Sequence, residues 1–135
     1  MNKSLVRLGL VLALSACSGS TNPLFPRVTL TPTRTLYAAG ETISATLANR
    51  SDDEIGYGAC AVSLERLVDT RWTVVSEDQR ICISILYVLA RGDTKEVRLP
   101  LDLTLAPGAY RLRHEFLPGT SLPKRYVHSR AFRVE

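Results

Sequence analysis

The fold is decided by the stretch Leu105-Ala-Pro-Gly-Ala-Tyr-Arg-Leu-Arg-His-Glu-Phe116. A Pro-Gly turn opens this stretch, and from Tyr110 onward apolar and charged residues alternate. A period of two is typical of a half-buried β-strand, because successive side chains of a strand point to opposite faces. The alternation predicts an inner face and an outer face, which are Tyr110, Leu112, His114 and Phe116 on one side and Arg111, Arg113 and Glu115 on the other.

Similar strand patterns recur on both sides of this stretch, and no window carries a helical stripe. They are separated by turn formers such as Asn, Asp, Gly and Pro. Residues 62–75 have the pattern of a hairpin, and Ile81–Leu89 is apolar enough to be either a strand or a short helix. The further strand segments are 28–31, 35–37, 43–47, 97–101 and 126–134. The sequence therefore predicts an all-β fold, an antiparallel β-sandwich of about seven strands.

Residues 1–16 have the parts of a secretory signal. Lys3 and Arg7 charge the start, and Leu8–Leu14 is an apolar run. This run is too short to span a bilayer, which takes about 20 apolar residues. We predict that residues 1–16 are a signal peptide that is removed on export.

The signal ends in Leu14-Ser15-Ala16-Cys17, which resembles the lipobox of bacterial lipoproteins. The resemblance implies that a diacylglyceryl group is attached to the sulfur of Cys17 and that cleavage makes Cys17 the first residue. Acyl chains such as palmitate would anchor the protein, since each buried CH₂ contributes about 0.8 kcal/mol. Ser18, where Asp would retain the protein at the inner membrane, implies the outer membrane of a Gram-negative cell. The alternative is an ordinary secretory signal that contains a cysteine.

The segment that follows is small, polar and interrupted by proline, as is typical of a linker. We predict that residues 17–26 are the lipidated cysteine and a flexible tether, and that residues 27–135 are one domain. Fully extended, the nine residues after Cys17 reach about 30 Å.

The two cysteines that remain are Cys60 and Cys82. An exported protein folds in an oxidising compartment, so we predict a structural disulfide between them. The alternative is a metal or redox pair, but the Cys-x-x-Cys spacing is absent from the sequence and the chain has only two histidines.

The ordered set of features resembles the bacterial immunoglobulin-like (Ig-like) domains of envelope lipoproteins. The order is Leu47-Ala-Asn-Arg-Ser51, Tyr57-Gly58, Leu64-Glu-Arg66 with Trp72, Pro107-Gly-Ala-Tyr-Arg111 and Phe132-Arg-Val134. The resemblance implies an Ig-like sandwich in which the Tyr110 hydroxyl bonds to upstream backbone, a tyrosine corner, and it favours Trp72 as a core residue. It carries over no catalytic residues, and the position of the two cysteines differs from that in antibody domains.

Composition and charge restrict the class of partner. The formal charge is +4, and removal of residues 1–16 leaves 15 basic against 13 acidic side chains, which is unusually balanced for a nucleic-acid-binding domain. Arg111, Arg113 and Arg133 share the outward parity of neighbouring strands. They define a possible binding face for anionic lipid, lipopolysaccharide phosphate or an acidic protein, with a merely solvated sheet face as the alternative.

The remaining polar residues do not form a recognisable catalytic or metal site. His114 and His128 lack a third ligand, and His114 is predicted to be a hydrogen-bonded core residue. Asp52-Asp-Glu54 lacks the alternating spacing of a calcium loop. We therefore expect no enzymatic activity, no cofactor and no bound metal.

Two functions follow as expectations. The first is a non-catalytic binding or assembly module that is anchored to the membrane through Cys17 and binds an envelope protein or a glycan. The second is a protease inhibitor of the small β-sandwich type, which would insert Leu122 from the exposed loop Pro118-Gly-Thr-Ser-Leu-Pro123.

Overall fold

Two β-sheets pack face to face and enclose one core. The computed structural model describes residues 27–77, 85–121 and 123–135, and within them there is no helix, so none that could cross a membrane. The strands are β1 (Val28–Pro32), β2 (Leu36–Tyr37), β3 (Thr42–Asn49), β4 (Ile55–Val68), β5 (Arg71–Glu77), β6 (Leu86–Leu89), β7 (Thr94–Pro100), β8 (Gly108–Pro118), β9 (Arg125–His128) and β10 (Phe132–Val134). The predicted signal peptide, Cys17 and the tether lie outside the described residues.

The strand order is that of an Ig-like sandwich, which confirms the predicted fold class. The smaller sheet has the order β1-β3-β7, and the larger sheet has the order β2-β10-β8-β4-β5. Two short strands extend the larger sheet, because β6 pairs with β4 and β9 pairs with β8. There are ten strand segments rather than about seven, partly because the first and last strands are each broken in two.

The first strand changes sheets at Pro32. Before this residue β1 pairs with β3, and after it β2 pairs with β10. Proline has no backbone N–H to donate, so a strand tends to end there. The pairing of β2 with β10 is parallel, in a sandwich whose other strand pairs are antiparallel.

The inward faces form the core in the predicted alternation. Ile43, Ala45 and Leu47 of β3 are fully buried, as is Leu64 of β4. All four inward residues of β8 are at most 4 % exposed, namely Tyr110, Leu112, His114 and Phe116. Burial of these side chains provides the main stabilisation of the sandwich.

The central hairpin is also confirmed. β4 pairs with β5 from Val68↔Arg71 onward, and Asp69 takes a positive φ of 56° in the turn between them. Within the apolar segment 81–89, residues 86–89 form a strand, while residues 81–84 lie outside the described part of the chain. Gly56 lets this strand approach closely, since a Cβ there would lie 3.0 Å from a methyl group of Leu86 and the leucine would have to shift.

Tyr110 forms the tyrosine corner that the resemblance implied. Its side chain is fully buried, and its hydroxyl donates a hydrogen bond to the carbonyl of Ala106 at the entry to β8. Arg66 supports the same corner. Its guanidinium lies 5.9 Å from the centre of the Tyr110 ring and donates to the carbonyl of Pro107 at 3.1 Å.

The two ends of the domain lie at opposite ends of the sandwich. The Arg27 carbonyl accepts a hydrogen bond from Arg50, beside the loop that follows β3. At the other end, the Glu135 carbonyl accepts one from Ala39, beside the loop that precedes β3. The segment that precedes residue 27 therefore enters at one end, and the chain leaves β10 at the other.

Removal of the Tyr110 hydroxyl tests the corner. We expect Tyr110→Phe to lower the free energy of unfolding by about 1 kcal/mol, because it leaves the Ala106 carbonyl without its donor. Urea unfolding is the measurement. Tyr126→Phe is the matched control, since the Tyr126 hydroxyl is exposed and makes only a weak contact, 3.5 Å long, with Glu115. Equal stability of Tyr110→Phe and the wild type would contradict this role.

Candidate functional site

An acidic side chain organises the outer face of the larger sheet. Glu65 of β4 lies opposite Arg111 of β8, and Ser63 lies opposite Arg113. Although it points away from the core, Glu65 is only 5 % exposed, because neighbouring side chains cover it. A buried carboxylate needs charged or hydrogen-bonding partners to offset the loss of water.

Two guanidinium groups provide this compensation. Arg111 Nε donates to Glu65 Oε2 at 2.6 Å, and Arg113 Nη1 lies 3.6 Å from Glu65 Oε1. Arg113 is held further by a hydrogen bond of 3.2 Å from its Nε to the hydroxyl of Ser63. Both predicted arginines are thus on the outer face, where one carboxylate offsets half of their combined charge.

Aromatic rings flank this charged group on both sides. The guanidinium of Arg111 lies 4.5 Å from the centre of the Trp72 ring, and that of Arg113 lies 5.0 Å from the centre of the Tyr126 ring. We name the row Trp72, Arg111, Glu65, Arg113 and Tyr126 the outer-face ladder. The expectation that Trp72 fills the core is wrong, because the parity of β5 opposite Leu67 puts it on the outer face, where it is half-buried.

Arg133 lies beside this ladder rather than within it. It pairs with Ala109 across β10 and β8, two residues before Arg111 on the same face, and its side chain is exposed. The three predicted arginines therefore share a sheet face. Glu65 provides one negative charge against the two positive charges of Arg111 and Arg113, so this face remains net positive, and Arg133 adds to that charge.

The two histidines lie on opposite faces of neighbouring strands. His114 is 1 % exposed, as predicted for a core residue, and its Nδ1 lies 2.7 Å from the carbonyl of Glu115, which makes Nδ1 the donor. Burial lowers the pKa of His114. On the outer face, His128 Nε2 lies 3.8 Å from Glu65, while burial and then the positive charge of Arg111 lower the pKa of His128.

The pairing of β4 with β8 is interrupted beside the ladder. Tyr57 pairs with Phe116 and Val62 pairs with His114, so residues 58–61 lie opposite Glu115 alone. Glycine in a strand often marks a bulge, and residues 58–61, next to the glycines that flank Tyr57, form an extended one here. Cys60 lies in this bulge. Its predicted partner Cys82 is outside the described residues, so the disulfide stays a prediction.

Other predicted sites are placed only in part. The loop after β8 is tied to the sandwich where Gly119 N donates to the carbonyl of Glu54 at 2.9 Å, but Leu122 lies outside the described residues. The inhibitor function therefore stays a prediction. Asp52 forms an exposed ion pair with Arg91 at 3.4 Å. Across residues 27–77, 85–121 and 123–135, no group of three or more metal-binding side chains occurs.

Sequence reasoning missed Glu65 as the centre of the site. Glu65 alternates with apolar residues in the same way as Ser63, so its outward position could be predicted. This alternation does not show which strand is the neighbour. An acidic residue on the outward face of one strand, with two arginines at a spacing of two on the outward face of another, is the signal that would have linked them.

The sequence matches the bacterial Ig-like domain family over residues 25–133. This match covers most of the chain, and the chain therefore belongs to that family. Membership indicates an extracellular or envelope protein, and domains of this family are generally non-catalytic. No curated protein matches the sequence.

Several solved structures are similar to this chain at low identity. A ceramidase complexed with C2 is 14 % identical with a TM-score of 0.52, over 82 % of this chain and 18 % of the ceramidase chain. The neutral ceramidase from Pseudomonas aeruginosa is 14 % identical with a TM-score of 0.45, over 82 % of this chain and 19 % of its own. The ASH / PapD-like domain of human CEP192 is 13 % identical with a TM-score of 0.41, over 100 % and 96 % of the two chains. This chain thus spans less than a fifth of the ceramidases.

Neutralising Glu65 tests the ladder. We expect Glu65→Gln to lower the free energy of unfolding by about 2–3 kcal/mol, because two half-buried guanidinium groups lose their counter-charge. Urea unfolding at neutral pH is the measurement. Glu96→Gln on the smaller sheet is the control, since Glu96 is exposed and 4.0 Å from Arg98, and we expect a change within about 0.5 kcal/mol. Equal effects of the two substitutions would contradict the role of Glu65.

The histidines predict a dependence of stability on pH. Their pKa values are lowered in the folded state, whereas the unfolded chain titrates near the ordinary value of 6.5. The unfolded state therefore binds more protons below this value, so stability is complete above about pH 6.5 and falls as the pH is lowered. The buried His114 contributes at most about 1.4 kcal/mol per pH unit, and the exposed His128 contributes less because solvent screens it.

Urea unfolding at about pH 7.5 and about pH 5.5 measures this effect. This window lies above the titration of Glu41 and Asp102, whose pKa values hydrogen bonds lower. His128→Gln separates the two histidines, and we expect most of the pH dependence to remain in this variant because His114 is the more buried. A stability that is unchanged between the two pH values would contradict the buried neutral state of His114.

Proposed function

We propose that this protein is a lipid-anchored envelope protein that acts as a non-catalytic binding or assembly module. Cys17 would carry the lipid, and the outer-face ladder would bind a protein partner. The observation that supports this function most directly is the composition of the ladder. Trp, Tyr and Arg are the residues most enriched among those that dominate binding energy at protein interfaces.

The geometry of the ladder favours a protein over a phosphate-bearing lipid. A site for phosphate needs guanidinium groups that are free to form paired hydrogen bonds with the anion. Here Arg111 Nε is bonded to Glu65 and Arg113 Nε is bonded to Ser63, so neither guanidinium can use its Nε in a pair of parallel hydrogen bonds to an anion, although other N–H groups remain. The contacts on Arg111 and Arg113 hold the face in one arrangement, so little side-chain freedom would be lost on binding.

The proposed anchor places the domain close to the membrane. Acyl chains on Cys17 would hold the first residue in the outer membrane, and the tether of residues 18–26 would limit the domain to within about 30 Å of it. The envelope partner, a protein or alternatively a glycan, would then be found at a high local concentration.

Crosslinking in the native envelope tests both parts of the proposal. Tagged full-length protein is crosslinked in cells, purified and analysed by mass spectrometry. We expect one defined envelope protein to be enriched with the wild type and lost with Trp72→Ala, because that substitution removes the largest aromatic side chain of the ladder. Leu103→Ala is the control, since Leu103 is 81 % exposed and lies away from the ladder.

The anchor has its own readout in the same experiment. We expect supplied labelled palmitate to be incorporated into the wild type and not into Cys17→Ala, because the substitution removes the thiol through which the lipid is attached. Equal palmitate labelling of Cys17→Ala and the wild type would contradict the anchor. Enrichment that Trp72→Ala leaves unchanged, in a variant that folds normally, would contradict the binding face.

A further inference from the structure

The interruption of the β4–β8 pairing creates a groove beside the outer-face ladder. Its volume is about 380 Å³, within the range of about 300–1,000 Å³ that is usual for small-molecule sites. Residues 60–63 of β4 line one side, and Arg113, Glu115 and Tyr126 line the other. We name this space the bulge groove.

Arg113 enters the groove as a fixed donor. Three contacts hold it, namely those to the Ser63 hydroxyl, to the Glu65 carboxylate and to the Tyr126 ring. The guanidinium has five N–H donors, so these contacts leave donors for a ligand. A donor that is already in place loses little conformational entropy when a ligand binds.

Glu115 and Tyr126 contribute acceptors and an aromatic surface. Lys124 Nζ lies 2.8 Å from Glu115 Oε1, and the Tyr126 hydroxyl lies 3.5 Å from Glu115 Oε2. The Tyr126 side chain is half exposed, at 52 %. The groove thus offers a planar donor, a planar acceptor and an aromatic ring within one small space.

The chemistry of the groove excludes several classes of ligand. Its surface is mainly polar, which disfavours an apolar molecule. Glu65 shares its one negative charge between Arg111 and Arg113, and Lys124 pairs with Glu115. The groove therefore presents both signs of charge side by side, which suits a ligand that both donates and accepts hydrogen bonds. An added peptide strand does not fit, because the gap on β8 is one residue long.

We infer that the bulge groove binds an uncharged sugar unit of a glycan. Neighbouring hydroxyl groups of a sugar both donate and accept hydrogen bonds, which suits the pair of Arg113 and Glu115. The C–H face of a sugar ring is apolar and can pack on the ring of Tyr126. This inference depends neither on lipidation of Cys17 nor on a protein partner of the ladder.

Titration with neutral sugars tests the inference on the full-length protein in detergent. The probes are cellobiose, maltose and the N-acetylglucosamine dimer, and binding is followed by saturation-transfer and amide-shift NMR. We expect at least one sugar to bind and to shift the amides of residues 60–63 and 113–115. Absence of binding by all three sugars would overturn the proposal.

Substitutions of Tyr126 and Glu115 locate the sugar-binding site. We expect Tyr126→Ala to weaken binding at least about tenfold, equivalent to about 1.4 kcal/mol, and Tyr126→Phe to retain it, because the ring remains. Glu115→Gln is the second variant and should also weaken binding, since it removes the charged acceptor. Tyr87→Ala is the control, because Tyr87 is similarly exposed, at 43 %, but lies on β6 outside the groove.

Each outcome separates this inference from the proposed function. Sugar binding that both Tyr126→Ala and Glu115→Gln leave unchanged would overturn the groove as the site, as would an equal loss in Tyr87→Ala. Neither result bears on capture of a protein partner through Trp72, which is measured in cells.

Discussion

The carboxylate of Glu65 is the constraint on which the outer face depends. A charged group that is almost fully covered is tolerated only when partners replace the lost water. Arg111 and Arg113 must therefore stay beside it, and this requirement supports the register of β4 against β8 that burial of the inward faces also favours. The same two guanidinium groups then support the rings of Trp72 and Tyr126, so one buried charge orders a row of five side chains.

Local patterns in the sequence predicted the features that depend on one strand alone. The alternation from Tyr110 to Phe116 gave the inward face of β8 correctly, including His114 as a hydrogen-bonded core residue. The resemblance to Ig-like domains implied the tyrosine corner, whose donor and acceptor are only four residues apart. The disulfide and the anchor at Cys17 stay predictions, since Cys82 and Cys17 lie outside the described residues.

Features that depend on pairs of distant strands could not be predicted in the same way. Glu65 and Arg111 are 46 residues apart, and no local pattern shows that their strands are neighbours. The position of Trp72 failed for a related reason, because its face depends on its pairing with Leu67 across the hairpin. Prediction of the bulge groove would need both the local sequence pattern and the pairing of distant strands. The glycines beside Tyr57 indicate a bulge, but its extent depends on where β8 resumes pairing at His114.

The placement of the two ends of the domain has a mechanical consequence. β2 and β10 run parallel, and three backbone hydrogen bonds join these segments, from Arg133 to Thr35, from Glu135 to Tyr37 and from Ala39 to Glu135. Tension between Arg27 and Glu135 acts along the strands, so it loads these bonds together in shear and cannot open them one at a time. The antiparallel pairing of β1 with β3 is loaded in the same direction. The sandwich should therefore resist a pulling force that is applied through its first and last strands.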